Sequence, residues 1–465
     1  MAATDGSSCL YPPAVFGLLV AIMVVCAAAA VLNDGDTFTH IAAGGWMLEH
    51  LAVLRSDPFT STFAGQPWTA HEWLSEVWFG AAYRVAGLSG VVLLTAAAAA
   101  VTFSNLARHV GRLCGWRSTM LLTSGALLCV IPSVLARPHV LALPVLELWV
   151  AGLVITRHEG RAPPWPMLLL MVVWANLHGG FAFGIALAAA FAVEAMLAPG
   201  REAGLVWRWW GFVAGSAVAA MVTPLGWDGL LFPFRLLQLH SLGFIQEWQP
   251  VDFTKQFGFE SVVLALVALL GTGRVRLPWL RLLLLLGMLH LTILHARHVP
   301  LFGIVGALIL AEPIERAFAE PERTRRRRGG MGFYWAGLAL VAVLRLALPV
   351  QTIDARAMPV SALAQLPPEL AGSPMLNSTQ FGGYLALSGL RPFVDGRVEL
   401  FGDAFIGDYM AMARADVGSL RRGVDRYGVT WALLAVDDPL VAGFDGLTGW
   451  RRQYADGVAV VFVRS

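Results

Sequence analysis

Apolar runs of membrane-spanning length recur along the first three-quarters of the chain, each closed by a short break of polar residues, glycine or proline. Eleven are read: 14–32, 88–107, 118–136, 138–156, 165–176, 179–198, 209–224, 257–273, 278–295, 299–317 and 332–349. About twenty apolar residues cross a bilayer as a helix, so the pattern predicts a mainly α, polytopic bundle of eleven helices, the fifth of them short. The first run is too long for a signal-peptide core and lacks a small-residue cleavage site, which predicts a retained helix.

The first break is the longest before the bundle ends. From Thr37 to Leu51 the apolar positions Phe38, Ile41, Ala42, Met47, Leu48 and Leu51 suit an amphipathic helix lying on the membrane, with Asp36 as its cap. Ser56-Asp57-Pro58-Phe59 and Gly65-Gln66-Pro67-Trp68 read as turns. Trp73, Val77, Trp78 and Ala81 mark a second surface helix that runs into the second span. Beyond residue 377 the pattern changes. Charged residues return, and Phe393-Val394, Trp431 to Val436 and Val458 to Val463 alternate with helical stretches as strands do. The expected organisation is a transmembrane module at 1–349, with its first outward loop at 33–87, and a small extracytoplasmic α/β domain at 350–465.

Composition agrees with a membrane protein. The chain is 57% hydrophobic and only 14% charged, with a mean hydropathy of +0.65, against about 25% charged in soluble domains. A net charge of +2 gives no footprint for nucleic acid. Cys9, Cys26, Cys114 and Cys129 lie in or near the spans and imply no disulfide framework or zinc site. Lys255 is the only lysine, so the arginines carry the orientation signal. They gather after even-numbered runs: Arg108, Arg112 and Arg117; Arg157 and Arg161; Arg201 and Arg208; Arg274 and Arg276; then Arg323 and Arg325 to Arg328. The positive-inside rule puts these in the cytoplasm with the N-terminus. The opposite set of loops and the C-terminal domain then face outward, across a bacterial inner membrane.

That assignment used charge alone, yet it collects the unusual polar residues on one side. Asp34-Gly35-Asp36, His40, His71-Glu72, Arg137-Pro138-His139, Asn176-Leu177-His178-Gly179-Gly180, Glu247 and Arg297-His298 all fall outward. Either aspartate could be a general base on a hydroxyl, or the pair could hold a divalent cation; the plainer alternative is helix capping. His71 and Glu72 could form a second acid–base pair or simply start a helix. Arg137 and Arg297 could clasp a phosphate, or snorkel to lipid headgroups. His139, His178, Glu247 and His298 line the same face. Arg345, inside the last run, is an intramembrane charge and so a further candidate.

These features together resemble the GT-C superfamily of membrane glycosyltransferases, which use polyprenyl-linked sugars. The phrases Asp34 to His40, Asp57-Pro58-Phe59, His71-Glu72-Trp73-Leu74, Asn176 to Gly180, Gly382-Gly383-Tyr384-Leu385 and Asp395-Gly396-Arg397 are similar to those of an uncharacterised bacterial branch of such proteins. The resemblance implies an inverting glycosyltransferase acting at the outer membrane face. Its catalytic base is Asp34 or Asp36. His40, His71, Glu72, Arg137, His139, His178, Glu247, Arg297, His298 and Arg345 are the candidate substrate-binding residues. The partners are a polyprenyl-phosphate sugar donor, membrane lipid and an acceptor the sequence does not identify. No cofactor is required, with a divalent cation at Asp34 and Asp36 as the alternative if the donor is a diphosphate. A transporter or flippase of a lipid-linked or anionic solute is the rival from another class. It is disfavoured by the absence of two corresponding halves with broken helices.

Overall fold

The computed structural model describes residues 12–318, 331–414 and 417–465. Cys9 and the arginines at 323 and 325–328 lie outside the described residues. Every predicted apolar run carries a helix. In order these are α1 (Pro12–Cys26) with the short α2 (Ala28–Val31), the second part of α4 (Trp73–Leu113), α5 (Trp116–Val130), α6 (Pro138–His158), α7 (Leu168–Leu177), α8 (Phe181–Met196) and α9 (Ala203–Ala219). After the short α10 (Trp227–Leu236) come α11 (Phe257–Gly271), α12 (Trp279–Leu294), α13 (Val299–Ala317) and α14 (Met331–Ala347). By length and composition, three of the described helices are fit to cross a membrane: Trp73–Leu113, Pro138–His158 and Ala296–Ala317. Others are apolar but shorter, such as α8, which ends just before Pro199-Gly200, and α11, which ends at Gly271.

A helix forms at each of the two places where a surface helix was expected. α3 (Gly35–His50) begins two residues earlier than the sequence pattern suggests, and its cap is Asp34, not Asp36. Asp34 is extended (φ −143°, ψ 128°) and its Oδ1 accepts the Asp36 N–H at 2.9 Å. An N-cap carboxylate satisfies a donor that the first helical turn leaves open. The second surface helix is continuous with the second run. α4 bends only at Ala86 and Gly87, where Gly87 has φ +56°, a conformation that glycine adopts without cost. α3 crosses the start of α4 backbone to backbone. A β-carbon on Gly44 would overlap the Glu76 carbonyl, and one on Gly80 would lie 2.5 Å from the Gly44 carbonyl carbon.

The C-terminal region folds into a four-stranded sheet with helices around it. The order is β1 (Met375–Asn377), β2 (Trp431–Ala435), β4 (Ala459–Arg464), β3 (Trp450–Ala455), with β1 parallel to β2 and the other pairs antiparallel. Two expected strands are found at β2 and β4. Phe393-Val394 is not a strand. Asn377 takes the place of a partner strand: its Oδ1 accepts from Phe393 N–H at 2.7 Å and its Nδ2 donates to Val394 O at 2.9 Å. β3 was not expected because its edge position leaves Arg451, Arg452 and Gln453 exposed, which hides the alternation of a half-buried strand. One apolar core runs through the bundle. A second joins the first loop to the C-terminal region: Ala43, Met47, Leu54 and Trp68 pack with Phe393, Phe401 and Phe405.

Candidate active site

α3 and α6 start at the same end of the bundle, and their first residues meet. Arg137 precedes Pro138, which opens α6 without needing an N–H partner. The guanidinium projects back to α3 and takes three carboxylates. Nη2 lies 2.8 Å from Asp36 Oδ2, and Nη1 lies 3.5 Å from Asp34 Oδ2 and 3.1 Å from Glu247 Oε2. Glu247 comes from the loop after α10, and its other oxygen is 3.7 Å from Arg297 Nη1. Arg297 lies over the Trp248 ring, 4.1 Å from its centroid. Residues from four separate stretches thus form one string of three carboxylates and two guanidinium groups. None is sealed: side-chain exposures run from 19% to 31%.

A second cluster adjoins it. His40 stands one helical turn after Asp36 on α3, and its Nδ1 is 3.3 Å from Glu76 Oε1 on α4. Glu72 is ringed by imidazoles: His178 Nε2 at 3.5 Å, His71 Nε2 at 3.6 Å and His40 Nε2 at 4.0 Å. The Gly180 N–H donates to His178 Nδ1 at 3.0 Å, so the neutral His178 ring carries its proton on Nε2, toward Glu72. His71 stacks on Phe232 at 3.9 Å. The start of α4 is pinned where α7 ends. Trp73 Nε1 donates to Asn176 Oδ1 at 2.7 Å, Asn176 Nδ2 reaches Val222 O at 2.9 Å, and Ser75 Oγ donates to Leu177 O at 2.8 Å.

The environment divides the two aspartates. One oxygen of Asp34 caps α3. Asp36 is free of capping, and burial, only partly offset by Arg137, pushes its pKa up to about 6. Glu247 goes the other way: burial opposes its charge, but Arg137 and Arg297 prevail and hold its pKa below the usual carboxylate range. Burial also opposes charge on His40 and His71, yet Glu76 and Glu72 beside the first and Glu72 beside the second raise both above the ordinary imidazole value. Burial lowers His178 to about 3, against the pull of Glu72 and with help from Arg297. The site therefore holds a poised carboxyl at Asp36, cationic guanidinium groups beside it, and a neutral imidazole at its edge.

Most of the residues singled out from sequence are brought together: Asp34, Asp36, His40, His71, Glu72, Arg137, His178, Glu247 and Arg297. His139 stands at the margin, with its Nε2 on Ser133 O at 2.7 Å and its ring 6.3 Å from that of His178. His298 packs edge-on against Phe183 at 4.9 Å. Arg345 is turned away, with its guanidinium donating to the Leu348 carbonyl at the end of α14. An arginine in the last turn of a helix satisfies the open carbonyls at its own helix end. Glu76 was not anticipated; the signal was its spacing, one turn after Glu72 on the same helix. The pairing of Trp68 with Glu399 and of Asp57 with the Asp395-Gly396-Arg397 turn is invisible in the sequence, because the partners lie more than three hundred residues apart. As for a cation, among the described residues no three or more His, Cys, Asp and Glu side chains are grouped to hold a metal ion. The Asp34 and Asp36 carboxylates are turned to Arg137 instead.

No family model matches the chain, and no curated protein matches it in sequence. Solved structures match it in fold. The archaeal oligosaccharyltransferase AglB from Archaeoglobus fulgidus, in complex with an inhibitory peptide and a dolichol-phosphate, superposes with a TM-score of 0.50 at 10% identity, covering 97% of this chain and 74% of that one. The apo form of the Archaeoglobus fulgidus oligosaccharyltransferase gives 0.51 at 12% identity, with the same coverage. ArnT from Cupriavidus metallidurans bound to undecaprenyl phosphate gives 0.50 at 15%, covering 96% of this chain and 97% of that one. The chain therefore shares its fold with these solved structures.

Proposed function

We propose that this chain is an inverting membrane glycosyltransferase. It transfers a sugar from a polyprenyl-phosphate donor to an acceptor hydroxyl at the outer face of a bacterial inner membrane. The observation that carries the reading is the convergence of Asp34, Asp36, Arg137, Glu247 and Arg297 at one end of the bundle. The neighbours of like fold are an oligosaccharyltransferase with dolichol-phosphate and ArnT with undecaprenyl phosphate, and we infer the same kind of lipid here.

In the proposed reaction Asp36 takes the proton of the acceptor hydroxyl. The oxygen attacks the anomeric carbon, and the bond to the lipid phosphate breaks with its electron pair. The leaving phosphate departs as an anion, so it needs a cation more than a proton. Arg137 and Arg297 supply that charge, and Glu247 keeps the two guanidinium groups in register. Asp34 positions α3 and Arg137 and does not itself take the proton. His40 and Glu72 hold the polar wall beside the base. On this reading the eleven apolar runs all cross the membrane, and the 350–465 domain lies outside.

The test uses the full-length protein in liposomes with polyprenyl-phosphate-linked sugars as donors. Formation of free polyprenyl phosphate together with a glycosylated product supports a transferase. Movement of intact donor between leaflets, without bond cleavage, would instead establish the flippase reading.

A further inference from the structure

The turn Asp395-Gly396-Arg397 lies far from the bundle in sequence, yet it touches the proposed base. A β-carbon at position 396 would overlap Asp36 Oδ1 and lie 2.8 Å from Asp36 Cγ. The backbone of Gly396 is not in the left-handed region, so the glycine is there for space and not for conformational freedom. Asp36 is thus pressed between Gly396 on one side and Arg137, 2.8 Å away, on the other.

The turn is anchored well enough to act as a wall. Arg397 is almost wholly buried. Its Nε donates to Asp395 at 2.9 and 3.0 Å, and its Nη2 lies 2.9 Å from Asp57 Oδ1. The guanidinium also stacks over Trp68, 4.4 Å from the ring centroid. Ser61 N–H and Thr62 Oγ donate to Pro392 O and Phe393 O at 2.9 and 2.6 Å. The same domain grips α3 elsewhere. A β-carbon on Gly383 would sit 2.6 Å from Thr39 Oγ1, and one on Gly35 would overlap Gln380 O. Three close approaches, all at glycine, leave α3 no room to slide.

We propose that the C-terminal domain forms one wall of the catalytic pocket, with Gly396 as the positioning residue that seats Asp36 against Arg137. This rests on the transferase reading for its consequence, but not for its geometry. Interiors are packed closely enough that one added methyl group must displace something. Here the displaced group is the Asp36 carboxylate, while Arg137 keeps Asp34 and Glu247.

Two experiments on the full-length protein test this. In steady-state transfer from the polyprenyl-phosphate sugar that the wild-type protein uses, Gly396→Ala should lower kcat tenfold or more and leave the donor KM within about twofold, because the misplaced base costs orientation and not phosphate binding. Gly407→Ala, with no neighbour within 4 Å of its β-carbon, should behave as wild type. Full kcat in Gly396→Ala overturns the proposal. So does a rise in KM that matches the fall in kcat and comes with loss of thermal stability, since that marks a merely structural site. The second experiment needs no activity and serves if Gly396→Ala fails to fold. The Asp36→Cys/Gly396→Cys pair, under mild oxidation, should yield a disulfide between the two peptides by mass spectrometry, as the β-carbons fall within its reach. A pair that stays reduced overturns the placement whatever the enzyme does.

Discussion

Two aspartates separated by a single glycine have different work because of what their oxygens face. Asp34 spends one oxygen on the Asp36 N–H and caps α3. Asparagine caps as well as aspartate, so Asp34→Asn should keep the fold, and Asp34→Ala should cost about 1 kcal/mol in thermal unfolding. Asp36 has no capping duty, and its pKa near 6 suits a base at neutral pH. A base works deprotonated. Transfer should therefore be full above about pH 7 and fall as the medium is acidified through pH 6. A pH–rate profile flat from 5 to 8 would remove Asp36 from the role. From sequence alone the two aspartates were indistinguishable, since both lie in a polar loop. What separates them is a two-residue shift of the cap and a glycine 360 positions downstream, and neither is local information.

The helices were more legible than the contacts between them. Hydrophobic runs place each helix because burial in lipid demands a continuous apolar stretch, and the amphipathic pattern of 37–51 shows α3 directly. The odd phrases of the chain, however, prove to be pairs. His71-Glu72-Trp73 meets Asn176-Leu177-His178, with Trp73 on Asn176 and Glu72 beside His178. Asp57-Pro58-Phe59 meets Asp395-Gly396-Arg397. Gly383 meets the first turn of α3, and Gly382 meets Val394 and Asp395. Nothing in a single sequence announces such pairing. Asn176 is the joint between α4, α7 and the end of α9, and it is buried. Asn176→Leu leaves the Trp73 N–H and the Val222 carbonyl without partners. It should cost about 1–3 kcal/mol, read as an earlier thermal transition, and should loosen Glu72. An unchanged transition would mean that water replaces the amide.

Across the whole molecule, the bundle and the C-terminal region share a core and a buried ion group, so they should unfold together. Asp57, Asp395 and Arg397 are buried in an interface that joins residues 57–68 to 392–397. Arg397→Met leaves two buried carboxylates uncompensated, a loss of about 3–5 kcal/mol for a broken buried pair. The expected result is one early transition for the whole protein in detergent. Two separate transitions, with the bundle unaffected, would show that the halves are independent. The overall architecture was readable because membrane proteins write their plan in hydropathy. The α/β region was only half readable, since β1 has three residues and β3 is a polar edge. Orientation rests on arginine distribution. A cysteine at Gly457, in the open turn before β4, should react with a membrane-impermeant maleimide on intact spheroplasts.

In the proposed reaction the charged residues at this end of the bundle cleave a sugar–phosphate bond with Asp36 as the base. The most direct measurement is single-turnover sugar transfer from a polyprenyl-phosphate donor by purified wild type, Asp36→Asn and Asp34→Asn, each checked for folding. That role requires a fall of about 100-fold or more for Asp36→Asn and a much smaller one for Asp34→Asn. Wild-type rates in Asp36→Asn would contradict it.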